Sequence, residues 1–210
     1  MKLQCKICGI SDPEILKYIV NHPKAPAFVG FIANYKKSKR FVNSKKLIEL
    51  LKVEKKTTNY VAVLVKPTKY DLEKIKNFNF EYYQIYDQTP KEIEIIKKKY
   101  NIKIIAAITI ENKNDINKYK DYSNIADIIL FDSKGYEKSY SFDHKMLNKV
   151  PDNITKMLAG NIKVEDDFLK LKKYCSYIDV SGSIESKPGI KDLKKIELFL
   201  NKVHNANINI

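Results

Sequence analysis

The sequence predicts an α/β chain folded as a single-domain (β/α)8 barrel with a parallel eight-stranded sheet. Three observations carry that prediction. Eight short β-branched or apolar runs recur at regular spacing along the 210 residues. Longer segments with helical periodicity separate them, as expected of repeated β-α units. No stretch rich in Pro, Gly or Ser marks a linker, so the chain reads as one domain near the small end for such a barrel. A doubly wound open sheet is the alternative, but one binding a dinucleotide expects a Gly-rich first turn, and Cys8-Gly9-Ile10-Ser11-Asp12 is not one.

The first strand, near Leu3 to Cys8, alternates: Leu3, Cys5 and Ile7 face the helices, and Gln4, Lys6 and Cys8 face the barrel interior. Ser11-Asp12-Pro13-Glu14 then sets a cap before Pro at a first helical position. Strands follow near Phe28 to Ile32, Tyr60 to Leu64 and Tyr82 to Ile85, the last leading into a second capped start at Thr89-Pro90-Lys91-Glu92. Further strands read near Lys103 to Ile108, Ile128 to Phe131, Lys156 to Ala159 and Tyr177 to Val180. Between Asp143 and Pro151 the helix is short or irregular. Leu193, Ile196, Leu200 and Val203 fall on one face of a final helix, and 204–210 reads as a polar C-terminal tail.

A net charge of +14 raises nucleic acid as a partner. Yet the lysines are scattered and mixed with acids, as in Glu92, Glu94, Lys97, Lys98 and Lys99, which is the pattern of solvated helix faces and predicts no specific nucleic-acid partner. Local clusters at Lys36, Lys37, Lys39 and Arg40, and at Lys45 and Lys46, suit steering of an anionic small molecule. No apolar run approaches the roughly 20 residues of a membrane helix, no signal peptide is visible, and three cysteines fit a reducing compartment; the expectation is a cytoplasmic protein without a membrane partner.

Barrel enzymes place their chemistry where strands end and βα loops begin. Cys8 closes strand 1, Arg40 lies in the loop after strand 2, Asp132 follows strand 6, and Asp179 ends strand 8. Cys5 and Cys8 form C-x-x-C, but positions three apart on a strand face opposite ways, so neither a redox pair nor a metal site is expected. That leaves Cys5 structural and Cys8 a candidate base or nucleophile. Gly160-Asn161 and Ser181-Gly182-Ser183 are small-residue turns on adjacent strands, a setting in which backbone N–H groups approach a phosphate. Of 39 basic residues only Arg40 is an arginine, the side chain suited to a two-pronged grip on a carboxylate or phosphate.

In chain order, the motifs are Lys6-Ile7-Cys8-Gly9-Ile10, Val29-Gly30-Phe31-Ile32, Lys37-Ser38-Lys39-Arg40-Phe41-Val42, Leu130-Phe131-Asp132-Ser133 and Leu158-Ala159-Gly160. They close with Asp179-Val180-Ser181, Glu185, Pro188-Gly189 and Lys191-Asp192. In this order, over nearly the whole chain, they resemble the phosphoribosylanthranilate isomerase family of tryptophan biosynthesis. The resemblance implies an Amadori rearrangement of a phosphosugar carrying an anthranilate, with no cofactor and no metal, by a monomer or homodimer. It implies Cys8 as general base, Asp132 as general acid, Arg40 at the anthranilate end opposite the phosphate site, and Asp179 on the pocket wall. Gly160, Asn161, Ser181, Gly182 and Ser183 fall in its phosphate-binding loops.

That chemistry makes demands. Asp132 must hold a proton, so burial or a nearby negative charge must raise its pKa; Cys8 must become a thiolate, so its pKa is expected to be depressed, with Lys6 a cause. The sequence also departs from the family. The glycines usual after the strand-6 acid are mostly replaced over Ser133 to Phe142, where Lys134, Lys138 or Tyr140 are the candidates to substitute for backbone contacts. The strand-4 end, commonly Q-L-H-G, reads Gln84-Ile85-Tyr86-Asp87, and the strand-8 turn is Ser-Gly-Ser rather than Ser-Ser-Gly. A competing barrel reading rests on Asp132-x-Lys134-x-x-Glu137, close to the D-x-K-x-x-D of orotidine-phosphate decarboxylase relatives, without support elsewhere in the chain.

Overall fold

The computed structural model describes residues 2–133 and 142–208. Lys134, Lys138, Tyr140 and Glu137, named above, lie outside the described residues. Eight parallel strands close on themselves in sequence order: β1 (Gln4–Cys8), β2 (Phe28–Ile32), β3 (Asn59–Val65), β4 (Tyr82–Tyr86), β5 (Lys103–Ile110), β6 (Ile128–Ser133), β7 (Lys156–Leu158) and β8 (Tyr177–Val180). Closure is made where β1 pairs with β8, Lys6 opposite Asp179 and Ile7 opposite Val180. All eight expected strands are present; β3, β4, β5 and β6 run one or two residues further, which puts Asp132 inside β6 rather than after it.

The period of two along each strand splits the core in two. Cys5, Ile7, Val29, Phe31, Tyr83 and Ile85 pack outward on the helices. Cys8, Phe28, Val61, Val63, Tyr86, Ile105, Leu130 and Met157 fill the barrel interior. The Leu3/Cys5/Ile7 against Lys6/Cys8 alternation therefore sits as expected, and the three thiols are unbridged.

The helical ring is uneven. α1 (Pro13–Asn21) starts at Asp12, whose side chain accepts from the Glu14 and Ile15 amides. α2 (Ser44–Leu50) is capped by Asn43, while α3 (Lys69–Ile75) and α4 (Pro90–Tyr100) open with reciprocal capping boxes at Thr68/Asp71 and Thr89/Glu92. α5 (Tyr119–Tyr122) and α6 (Phe168–Leu171) are single turns, and His144–Lys149 is a 3-10 turn, the irregular segment expected between Asp143 and Pro151. After β8 comes a 3-10 turn (Gly182–Ile184) and a hairpin of β9 (Glu185–Lys187) and β10 (Ile190–Lys191), then α7 (Leu193–Ile208).

Two expectations for the C-terminus are corrected. The stretch expected as a polar tail from residue 204 is helical as far as Ile208, because Ala206 is buried and the Asn207 side chain bonds both the amide and the carbonyl of Leu3, each at 2.8 Å. The Asn207 side chain thereby satisfies the backbone of the residue that leads into β1 and fastens the last turn of the helix to it. Leu193 is 45% exposed at the first turn, while Ile196, Leu200 and Val203 are buried, joined by Phe199.

Candidate active site

A cavity of about 800 Å³ opens at the C-terminal ends of the strands, of the size that encloses a small ligand. Cys8, Arg40, Asp132, Gly160, Asn161, Asp179, Ser181, Gly182 and Ser183 all line it, so every expected site residue is brought to one wall or another of a single chamber.

On the β1/β8 side, Lys6 is fully buried and its Nζ donates to Asp179 Oδ2 at 2.8 Å. Its charge also acts on the neighbouring Cys8. This arrangement needs Gly30 on β2: a Cβ there would stand 3.0 Å from Lys6 Nζ and 3.1 Å from Cys8 Sγ. Burial opposes the Lys6 charge, but Asp179 and Cys8 outweigh it and hold its pKa above the ordinary lysine value. The Cys8 thiol is not depressed as expected. Burial raises it, and Lys6 and Lys191 pull it only part of the way back, since the negative charge of Asp179 acts with burial.

On the β4/β6 side, the Asp132 carboxylate Oδ2 accepts from the Tyr86 hydroxyl at 2.8 Å. Burial lifts its pKa to about 7; the Tyr86 hydrogen bond, the Ser133 amide and Lys6 work against that rise and Asp179 works with it. The raised acid expected from the chemistry is there, and burial dominates over a neighbouring negative charge.

The third wall is the β8–α7 segment. Arg40 Nε and Nη2 grip Glu185 Oε1 and Oε2 at 2.6 and 2.9 Å, and Lys191 Nζ reaches Glu185 Oε1 at 2.8 Å. These contacts, with the Gly189 amide, hold the Glu185 carboxyl down to about 2 against burial. Lys191 also donates to the Ser181 carbonyl at 2.9 Å, and Ser181 Oγ donates to the Cys8 carbonyl, which ties this wall to β1. The two-pronged grip read from the sequence therefore exists, but on Glu185. Arg40 also lies beside the Ser181–Ser183 turn, its Nη2 3.4 Å from where a Gly182 Cβ would be, rather than opposite it.

The β7 turn is shaped by conformation: Gly160 has φ +84° and Asn161 φ +54°, and a Cβ at Gly160 would meet the Ser133 backbone nitrogen at 2.6 Å. Ser183 Oγ is buried without a partner among the described residues. Tyr86, Glu185 and Lys191 were not singled out as site residues from the sequence. The inward parity of Tyr86, two residues after Gln84 on β4, was the available signal for the first. No group of His, Cys, Asp and Glu among the described residues is arranged to hold a metal, and no helix among them is long and apolar enough to cross a membrane.

A family model for N-(5'-phosphoribosyl)anthranilate (PRA) isomerase matches residues 5–202. The N-(5'-phosphoribosyl)anthranilate isomerase of Rhizobium rhizogenes is 30% identical over 217 residues, covering 98% of this chain and 96% of its own. That of Agrobacterium fabrum is 30% identical over 214 residues, covering 97% and 96%. Phosphoribosyl anthranilate isomerase from Thermotoga maritima shares the fold with a TM-score of 0.83 at 24% identity, covering 97% of this chain and 99% of that one. Another structure, at 22% identity and TM-score 0.81, is a phosphoribosyl anthranilate isomerase in complex with reduced 1-(o-carboxyphenylamino)-1-deoxyribulose 5-phosphate; it covers 97% and 99%. With a match across nearly its whole length and relatives of equal span, the chain belongs to the N-(5'-phosphoribosyl)anthranilate isomerase family of tryptophan biosynthesis.

Proposed function

We propose that this chain converts N-(5'-phosphoribosyl)anthranilate into 1-(2-carboxyphenylamino)-1-deoxyribulose 5-phosphate without a cofactor, with Asp132 as general acid and Cys8 as general base. The observation that carries the reading is Asp132 itself: a carboxyl lining the cavity whose pKa is lifted to about 7, where a carboxylic acid can still deliver a proton near neutrality. Asp132 gives that proton to the ribose ring oxygen as the C1'–O bond breaks, and the anthranilate nitrogen lone pair forms an iminium. Cys8 takes the C2' proton, the C–H electrons become the C1'=C2' bond, and the iminium is neutralised as an enolamine that tautomerises to the ketone. The Tyr86 hydroxyl stabilises the Asp132 carboxylate left behind.

Gly160, Asn161, Ser181, Gly182 and Ser183 take the phosphate, with the buried Ser183 hydroxyl a ready donor. Arg40, held by Glu185 next to the Ser181–Ser183 turn, is the positive charge that the anionic substrate meets at this wall, and Asp179 keeps Lys6 charged beside Cys8. The phosphosugar bound in a barrel of the same fold supports a ligand of this class.

The two titrations fix the pH dependence. With Asp132 titrating at about 7 and the Cys8 thiol above its ordinary value, the reactive pair is protonated acid with thiolate. It carries the same number of protons as the more abundant carboxylate with thiol. Hence kcat/KM rises with pH through about 7, stays level, and falls above the Cys8 pKa. The deciding experiment generates phosphoribosylanthranilate in situ and follows the loss of its anthranilate fluorescence. Turnover above the uncatalysed background is expected; its absence from correctly folded protein rejects the reading.

A further inference from the structure

The geometry points to Tyr86 as a positioning residue for the Asp132 carboxyl: a Gln84–Tyr86–Asp132 hydrogen-bond chain holds the Oδ2 oxygen and limits how far burial raises the acid. The inference rests on the reading of Asp132 as the acid, and adds a residue that acts on it. Gln84 and Tyr86 are two apart on β4 and both face inward, Gln84 buried at 1% exposure and Tyr86 at 7%. Asp132 belongs to β6, so β5 lies between. The β5 residue that pairs with the inward Leu130 of β6 is Ala107, a side chain small enough for the Tyr86 ring to pass over the intervening strand.

The chain runs from Gln84 through Tyr86 to Asp132. The Gln84 amide nitrogen has only hydrogens to offer, and it donates to Tyr86 Oη at 3.2 Å. The Tyr86 hydroxyl in turn donates to Asp132 Oδ2, 2.8 Å away. A phenol that already accepts a hydrogen bond is the stronger donor. Burial and the charges of Asp132, Asp179 and Cys8 raise the Tyr86 pKa, so the phenol keeps its hydrogen across the working range. A hydrogen bond donated to Oδ2 favours the carboxylate over the acid, so this bond works against the rise that burial imposes. The other groups acting on Asp132 are Asp179 on β8, Lys6 on β1 and the Ser133 amide, none of which Tyr86 replaces.

The test titrates the Asp132 carboxyl in ligand-free protein by 13C NMR with labelled aspartate, Asp132→Asn supplying the assignment. Tyr86→Phe keeps the ring and removes the donor that favours the carboxylate, so the midpoint should rise by about one pH unit. Gln84→Met leaves the phenol in place but weakens it as a donor, and should move the midpoint up by less; it decides the matter if Tyr86→Phe fails to fold. A midpoint unmoved in the folded variants overturns the proposal. The lower limb of kcat/KM reports separately: if it follows the carboxyl upward, Tyr86 tunes the reacting acid. If the carboxyl moves and that limb does not, the hydrogen-bond chain stands, but Asp132 as the acid fails.

Discussion

Two carboxyl groups at the mouth of the barrel are built to opposite ends. Asp132, on the β4/β6 side, accepts a phenol and is lifted to about 7. Glu185, on the β8–α7 side, accepts Arg40, Lys191 and the Gly189 amide and is held at about 2. Burial pushes both up; the number of cations in contact decides the outcome. The difference separates a group that can exchange a proton near neutrality from one that fixes positive charge in place. It also sets opposite costs for folding. Glu185 titrates below its unfolded value of 4.5, so its contribution is present above that pH and is lost as the pH falls toward 2. Asp132 titrates above its unfolded value of 3.8, so stability is lost as the pH rises from there through about 7.

The largest break in this comparison is chemical. Asp132→Asn and Cys8→Ala should each lower kcat by at least about 100-fold, the scale for removing a general acid or base. Near-full activity in either variant, measured by the fluorescence assay, refutes the assigned role. Glu185→Gln attacks the other wall, leaving Arg40 and Lys191 buried with one partner fewer. Chemical denaturation should register a loss of about 3 kcal/mol at neutral pH, and a loss below about 1 kcal/mol contradicts the part given to Glu185.

Asp132→Asn should also stabilise the fold at pH 8, by about 2 kcal/mol allowing for partial exposure to water, because the folded state no longer has to hold a buried charge. A destabilised Asn variant removes burial as the cause of the raised acid. The smallest change keeps the charge: Arg40→Lys cannot grip both Glu185 oxygens, and about tenfold lower kcat/KM is expected. An unchanged value makes the guanidinium dispensable.

The barrel was legible because its strands alternate or run apolar where they should, and because Asp12-Pro13 and Thr89-Pro90 start helices by local hydrogen bonding. The positions of Cys8, Asp132 and the two small-residue turns followed from strand ends alone. What did not follow depends on contacts between distant segments. Asn207 caps the edge of β1 from 204 residues away, which no local pattern announces. Glu185 takes the fork of Arg40 across 145 residues, so a lone arginine near a pocket reads as a ligand group when part of its task is internal. Lys6 was legible as a neighbour of Cys8, but the balance of burial against its charge was not: the thiol ends above its ordinary value.

The claim that one wall of the cavity holds its carboxyl protonated near neutrality, and another holds its own ionised, is tested most directly by titrating both side chains in the ligand-free protein with 13C-labelled aspartate and glutamate. An Asp132 midpoint at about 7 is expected, with Glu185 still fully ionised at pH 4. An Asp132 that titrates near 4 with ordinary surface carboxyls would contradict it.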